Sequence, residues 1–297
     1  MLQIAPASFC LAQDPVDNPN EVCSLANLKD ATRVGSYIFR TYDNIDASCF
    51  QVLRDGKILF RRTNNNGGKY VIGQPEEKEW NIPVIPNGTD ITGRGHPEMI
   101  VSQFTGGMHC CRRHYIFELK PEFKIVATLF ADDIRPAYFA DLDKNHHYYY
   151  IAEDWTFDTW WMSYAGSPHH SIILHFVDDS KGGGFHLAID KMQASAPSPE
   201  EWQKALDGLR EQLQSDQEEF DANGLWQEVL DLIYTGHSEL AWKFLNEVGP
   251  KAQAKPYPDL ADFCLRLKSS PYWPDLAPTL KNTSPVCANA KSYHSKQ

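Results

Sequence analysis

Apolar residues follow two rhythms along this chain. From about residue 34 to about residue 192 they fall in short runs, many alternating with polar positions, separated by clusters of Gly, Pro, Asn and Asp. "CFQVLRDGKILFRR" sets two such runs around Asp55-Gly56, a dipeptide that readily takes the positive φ of a two-residue turn, so a hairpin is predicted. "YVIG", "PEMIVSQF", "CRRHYIFEL", "FKIVATLFA", "YYYIAEDW", "SIILHFVDD" and "FHLAID" read as further strands. No helical pattern intervenes, so the expected architecture is antiparallel and β-rich, propeller-like or sandwich-like.

After about residue 193 the period lengthens. "SPEEWQKALDGLREQL" supplies Ser198 and Glu201 for a capping box, Pro199 at the first helical position, and Trp202, Leu206, Leu209 and Leu213 on one face. "GLWQEVLDLIYTGHSELAWKFLNEVGP" predicts two helices broken at Gly236-His237, the second capped by Ser238, and "PYPDLADFCLRLKSSPYW" predicts one more. The expected organisation is an N-terminal segment 1–22, a β-rich domain over 23–192 and an α-helical C-terminal appendage over 193–297, with the polar "QASAPSPE" at the boundary.

Charge and cysteine content narrow the compartment and the partners. The chain has 297 residues and a formal net charge of -11, which leaves no broad basic surface for a phosphate backbone, so nucleic acid is not an expected partner. No run reaches the roughly 20 apolar residues of a membrane helix. "MLQIAPASFCLAQDPVDNPN" has the apolar, small and then polar order of a secretory signal's end without its positively charged start. It is read as a signal remnant, with a mobile tail as the alternative. Without Cys10, six cysteines remain (Cys23, Cys49, Cys110, Cys111, Cys264 and Cys287), an even number that suits an oxidising compartment.

Residues 109–119, if extended, put His109, Cys111, Arg113, Tyr115, Phe117 and Leu119 on one face, the more apolar one, which is expected to meet the core. Cys110 and Cys111 then point to opposite sides. Two separate disulfides follow, with Cys23 and Cys49 as their partners and Cys264 joined to Cys287; a bridge between the two neighbours is the alternative. His109 and Cys111 start about 7 Å apart on such a strand, too far for a Cys-His nucleophile pair.

Two segments repeat each other. "TDITGRGHPEMIVSQ" and "ADLDKNHHYYYIAED" align with Asp90 on Asp141, each loop leading into an apolar strand. Oxygen-bearing residues alternating in a tight loop suit a hard cation such as calcium. These loops resemble the aspartate-rich loops of FG-GAP/VCBS repeats, and the wider set "DITGRGHPEMIVSQFTGGMHCC", "FADLD", "EDWTF" and "ELAWKFLNEV" resembles a family of uncharacterised bacterial exported proteins carrying such loops. The resemblance implies a β-rich fold and a periplasmic or secreted location, with no established activity. It implies Asp90, Thr92, Arg94, His96 and Glu98 in the first loop, where Arg94 would repel a cation. In the second loop it implies Asp141, Asp143 and Asn145 as a calcium set, with His146 in place of the turn glycine and Tyr149 in place of the later acid. The alternative is a former ion loop held by hydrogen bonds, Asp90 and Asp141 capping the turn.

"EDWTFDTWWMSYAG" gathers Asp154, Trp155, Asp158, Trp160 and Trp161 as a candidate ligand surface. Carboxylates beside aromatic faces suit a carbohydrate, whereas such rings also serve as core packing. No H-E-x-x-H, C-x-x-C, G-x-S-x-G or P-loop occurs, and no catalytic residue is assigned. The expected function is non-enzymatic binding of a protein or cell-envelope ligand. A carboxylate-dependent hydrolase of a carbohydrate or envelope substrate, with a structural calcium, is the alternative.

Overall fold

A computed structural model describes residues 19–65, 67–74, 77–106, 112–131, 136–161, 163–179, 183–214, 222–248, 259–281 and 285–289. Residues 1–18, Cys110 and Cys111 lie outside them, and with these the expected signal remnant and the pairing of the adjacent cysteines. Twelve strands form three four-stranded antiparallel sheets. The first contains β1 (Leu28–Val34), β2 (Tyr37–Asp43), β3 (Ala47–Arg54) and β4 (Lys57–Asn65); the second β5 (Lys69–Ile72), β6 (Glu98–Phe104), β7 (Arg112–Glu118) and β8 (Lys124–Ala131). The third contains β9 (Tyr138–Ala140), β10 (Tyr149–Asp154), β11 (His170–Val177) and β12 (Gly184–Leu187). In each, strands adjacent in sequence are adjacent in space. The β3–β4 hairpin closes at Asp55 and Gly56, at φ 51° and 76°, as the turn chemistry predicts.

Eight helices complete the described chain: α1 (Pro19–Val22), α2 (Ile189–Met192), α3 (Pro199–Gln214), α4 (Ala222–Tyr234), α5 (Ser238–Val248), α6 (Leu260–Lys268), α7 (Trp273–Leu276) and α8 (Pro285–Asn289). The chain divides into two compact units. One runs to Ala152 and takes in Leu174–Phe185; the other holds Glu153–Ile173 and the chain from His186.

In the first unit the first and second sheets sandwich an aromatic core. Tyr37, Phe39, Phe50 and Val52 from one meet Tyr70, Met99, Val101, Tyr115 and Phe117 from the other. The opposite face of β6 and β7 is buried as well. His114 lies edge-on to Tyr150, with ring centroids 5.5 Å apart, and Ile116 is inaccessible. The prediction of one core-facing side for "CRRHYIFEL" is thus corrected. The second sheet is the middle layer, so Tyr115 and Phe117 enter one core while His114 and Ile116 enter another. The Gln74 side chain acts as a peptide group against the β9 edge, accepting from Phe139 N at 2.7 Å and donating to Phe139 O at 2.8 Å.

The cysteine pairing also differs from expectation. Cys23 is bonded to Cys49 rather than each of them to one of the adjacent cysteines, because α1 packs against β3. Cys264 is bonded to Cys287, as expected. In the second unit the capping box forms: Ser198 N donates to Glu201 Oε2 (2.8 Å) and Glu201 N to Ser198 Oγ (3.3 Å). Ser238 does not cap α5. It occupies the first helical position, and its hydroxyl accepts from Lys281 N at 2.9 Å, while His237 O takes the first helical bond.

Candidate functional site

The two aligned loops share one backbone design. Asp90 accepts from the backbone N–H groups four and five residues on, Arg94 N at 3.0 Å and Gly95 N at 2.6 Å. Asp141 does the same with Asn145 N at 3.0 Å and His146 N at 2.8 Å. Left-handed residues fall at matching places: Gly93 and Gly95 in the first loop, Lys144 and His146 in the second. A side-chain link then joins the third residue of each loop to the first residue of the strand that follows. In the first loop Thr92 Oγ1 donates to Glu98 Oε1 (2.6 Å), and in the second Tyr149 OH donates to Asp143 Oδ2 (2.8 Å). Donor and acceptor have exchanged ends, so the substitution of Tyr149 for the acid preserves the bond.

The first loop carries its own cation. Glu98 accepts from Ile91 N, Thr92 N and Thr92 Oγ1, and burial raises its pKa above the usual carboxylate value against the lowering effect of those bonds. Glu118 lies directly opposite Glu98 across β6 and β7. Between them the Arg94 guanidinium stands 2.6 Å from Glu118 and 3.7 Å from Glu98, and Lys124 Nζ lies 3.0 Å from Glu118. The guanidinium also covers the Phe176 ring at 4.8 Å. In this loop the arginine that would repel a metal ion supplies the positive charge itself.

A cleft of about 620 Å³ opens between the two loops. Arg94 and His96 come from the first loop, Lys124 from β8, His147 and Tyr148 from the second, and His175 from β11. Tyr149 stacks on His175 with centroids 6.3 Å apart. Lys124, His147, Tyr148 and His175 carry no motif in the sequence. They converge because sheet register brings separate segments together, and the nearest sequence signal was Arg94 standing among the acids of a loop.

Asp141, Asp143 and Asn145 do not turn all their oxygens toward a common centre. Each Asp141 oxygen accepts a backbone N–H, Asp143 accepts from Tyr149, and Asn145 Oδ1 accepts from His147 N at 3.0 Å. Among the described residues no group of three or more His, Cys, Asp or Glu is placed to hold a metal ion. Some desolvation opposes it, but the N–H groups of His146 and Asn145 hold the Asp141 carboxyl below its usual pKa.

The other candidate residues lie in the second unit, in separate settings. Asp154 is fully buried. Its Oδ1 accepts from Thr156 N (2.9 Å) and Thr156 Oγ1, and its Oδ2 accepts from Ser270 Oγ (2.9 Å) and the Tyr234 hydroxyl. Burial first, and Asp154 second, raise the pKa of Tyr234 and of Tyr272. Asp158 instead meets His169 Nδ1 at 3.1 Å, a contact that raises the His169 pKa. Trp160 packs among Phe157, Trp226 and Phe263, whereas Trp161 is exposed and Trp155 half-buried. Compared with known proteins, the chain matches no family model, no curated protein and no solved structure.

Proposed function

We propose that this chain is an exported, non-enzymatic binding protein, of a kind resembling FG-GAP/VCBS-loop proteins, that holds a protein or cell-envelope ligand in the cleft between its two aspartate loops. One observation carries this reading: the hydrogen-bonded loops and the strands beside them present Arg94, Lys124, His96, His147 and His175 beside tyrosine rings around a ligand-sized cleft. Donors and aromatic faces on a fixed frame suit recognition without requiring bond-breaking chemistry. Two disulfides support an oxidising compartment, and no helix of the described residues is long and apolar enough to cross a membrane.

The test uses immobilised chain and cell-envelope extract. Wild type is compared with a Lys124→Ala, His147→Ala, His175→Ala triple variant and with an Ile45→Ser control in the exposed β2–β3 turn, which does not line the cleft. A species retained by wild type and control but lost by the triple variant is the expected result. Equal retention by all three removes the cleft from the reading.

The hydrolase alternative rests on Asp154 and Asp158. Four hydrogen bonds occupy Asp154, which leaves it no lone pair for acid–base work in this arrangement, and this favours binding. Calcium belongs to the same alternative. Chelator-treated protein is expected to keep its melting temperature on adding calcium, because the second loop is closed by its own donors. A calcium-dependent rise would restore Asp141, Asp143 and Asn145 as ligands.

A further inference from the structure

One end of the aromatic sandwich changes from apolar to polar within a single residue pair. Tyr70, Gln103 and Arg113 lie directly opposite one another on β5, β6 and β7, two residues along from Val101 and Tyr115 of the core. From the facing sheet Arg62, two residues beyond core-packed Phe60, covers the Tyr115 ring at 5.3 Å. Tyr115 OH donates to Gln103 Oε1 at 2.7 Å. The Tyr70 hydroxyl and Gln103 Nε2 have no hydrogen-bond partner among the described residues, although Tyr70 is only 7% exposed and Gln103 fully buried. Arg62 forms no ion pair with a described carboxylate. A structure rarely buries two polar groups and leaves both unbonded.

We propose that this end of the sandwich is a binding site for one oxyanion group, a carboxylate or a phosphate or sulfate, held by the Tyr70 hydroxyl, the Gln103 amide and the Arg62 guanidinium, with Arg113 adding charge. A cation is disfavoured by the guanidinium groups, and an anion is the ligand that uses the Arg62 charge together with the two unbonded polar groups. Burial raises the Tyr70 pKa above the usual tyrosine value, which keeps the hydroxyl proton available for donation. Arginine suits this role because its fork matches two oxygens of one anion. None of these residues lines the cleft between the aspartate loops, so this site stands or falls apart from it.

The test follows the melting temperature of the full chain, with calorimetric titration, in sodium phosphate, sulfate or acetate against sodium chloride at matched ionic strength. At least one oxyanion is expected to give a saturable, single-site rise beyond the chloride effect. Stronger binding of phosphate or sulfate assigns a phosphoryl or sulfuryl ligand, and stronger binding of acetate assigns a carboxylate; either supports the proposal. Tyr70→Phe, which removes one oxygen, and Arg62→Met should each weaken the response at least about tenfold. Lys124→Ala should leave it unchanged. Circular dichroism checks that each variant keeps its fold. A response no different from chloride, with ordered water then satisfying both groups, overturns the proposal. So does full affinity in folded Tyr70→Phe or Arg62→Met.

Discussion

Glu98 and Glu118 face each other across adjacent strands, where two carboxylates repel. Arg94 reverses the sign of that contact, and with its side chain only 12% exposed its ion pairs are poorly screened. Arg94→Met should therefore lower unfolding free energy by about 3 kcal/mol in urea, the order expected when a buried pair loses one partner. Adding Glu118→Gln should recover part of that loss, a coupling that a double-mutant cycle measures. Additive losses would mean that Arg94 acts through its Phe176 contact instead. Asp154 poses the same problem with opposite charge. Asp154→Ala strands the Tyr234 and Ser270 hydroxyls in the interior, so a loss on the order of 3 kcal/mol is expected with an unchanged urea slope. A loss below about 0.5 kcal/mol would show that these hydroxyls find other partners.

At the scale of elements, the aspartate loops show how far local chemistry can be read. The spacing from Asp90 to Glu98 and from Asp141 to Tyr149 already contained the shared design, since each loop closes through bonds within nine residues. The Asp55-Gly56 turn and the Ser198–Glu201 capping box were legible for the same reason. Ser238 was not, because a residue 43 positions away, Lys281, claims its hydroxyl. The burial of both faces of β7 was also hidden: alternation reveals a half-buried strand, and a middle layer has no exposed face to alternate with. The loops differ where one uses glycine and the other does not. His146 holds φ 66° where the first loop has Gly95 at 77°. His146→Gly should stabilise the chain by up to about 1 kcal/mol, and Gly95→Ala should destabilise it by a similar amount. Melting temperatures of the two variants should move in opposite directions, and equal shifts would break the equivalence of the loops.

For the molecule as a whole, the cleft depends on register that the sequence does not carry. Arg94, Lys124, His147 and His175 become neighbours only when four segments are paired in one unit, and Cys23 chose Cys49 only once α1 lay on β3. Two histidines, one in each unit, respond to pH in opposite directions. His114, in the first unit, is buried beside Tyr150 with Ser102 Oγ on its Nδ1 at 2.9 Å; burial, then Arg112, lower its pKa from 6.5 to about 4. The folded chain thus binds fewer protons there than the unfolded chain. His114 contributes stability that is complete above pH 6.5 and lost as pH falls toward about 4, with a slope of about 1.4 kcal/mol per pH unit. His169, in the second unit, is raised by Asp158, with Glu153 adding to the shift. The folded chain there binds more protons. Its stabilisation is complete below the unfolded value and fades as pH rises through the folded one. Calorimetry from pH 4 to 9 should show the difference between wild type and His114→Asn growing from pH 4 to 6.5. The difference between wild type and His169→Gln should shrink above pH 6.5. If His114→Asn tracks wild type in parallel across the acid range, His114 is charged when folded and the second core is wetter than its burial requires.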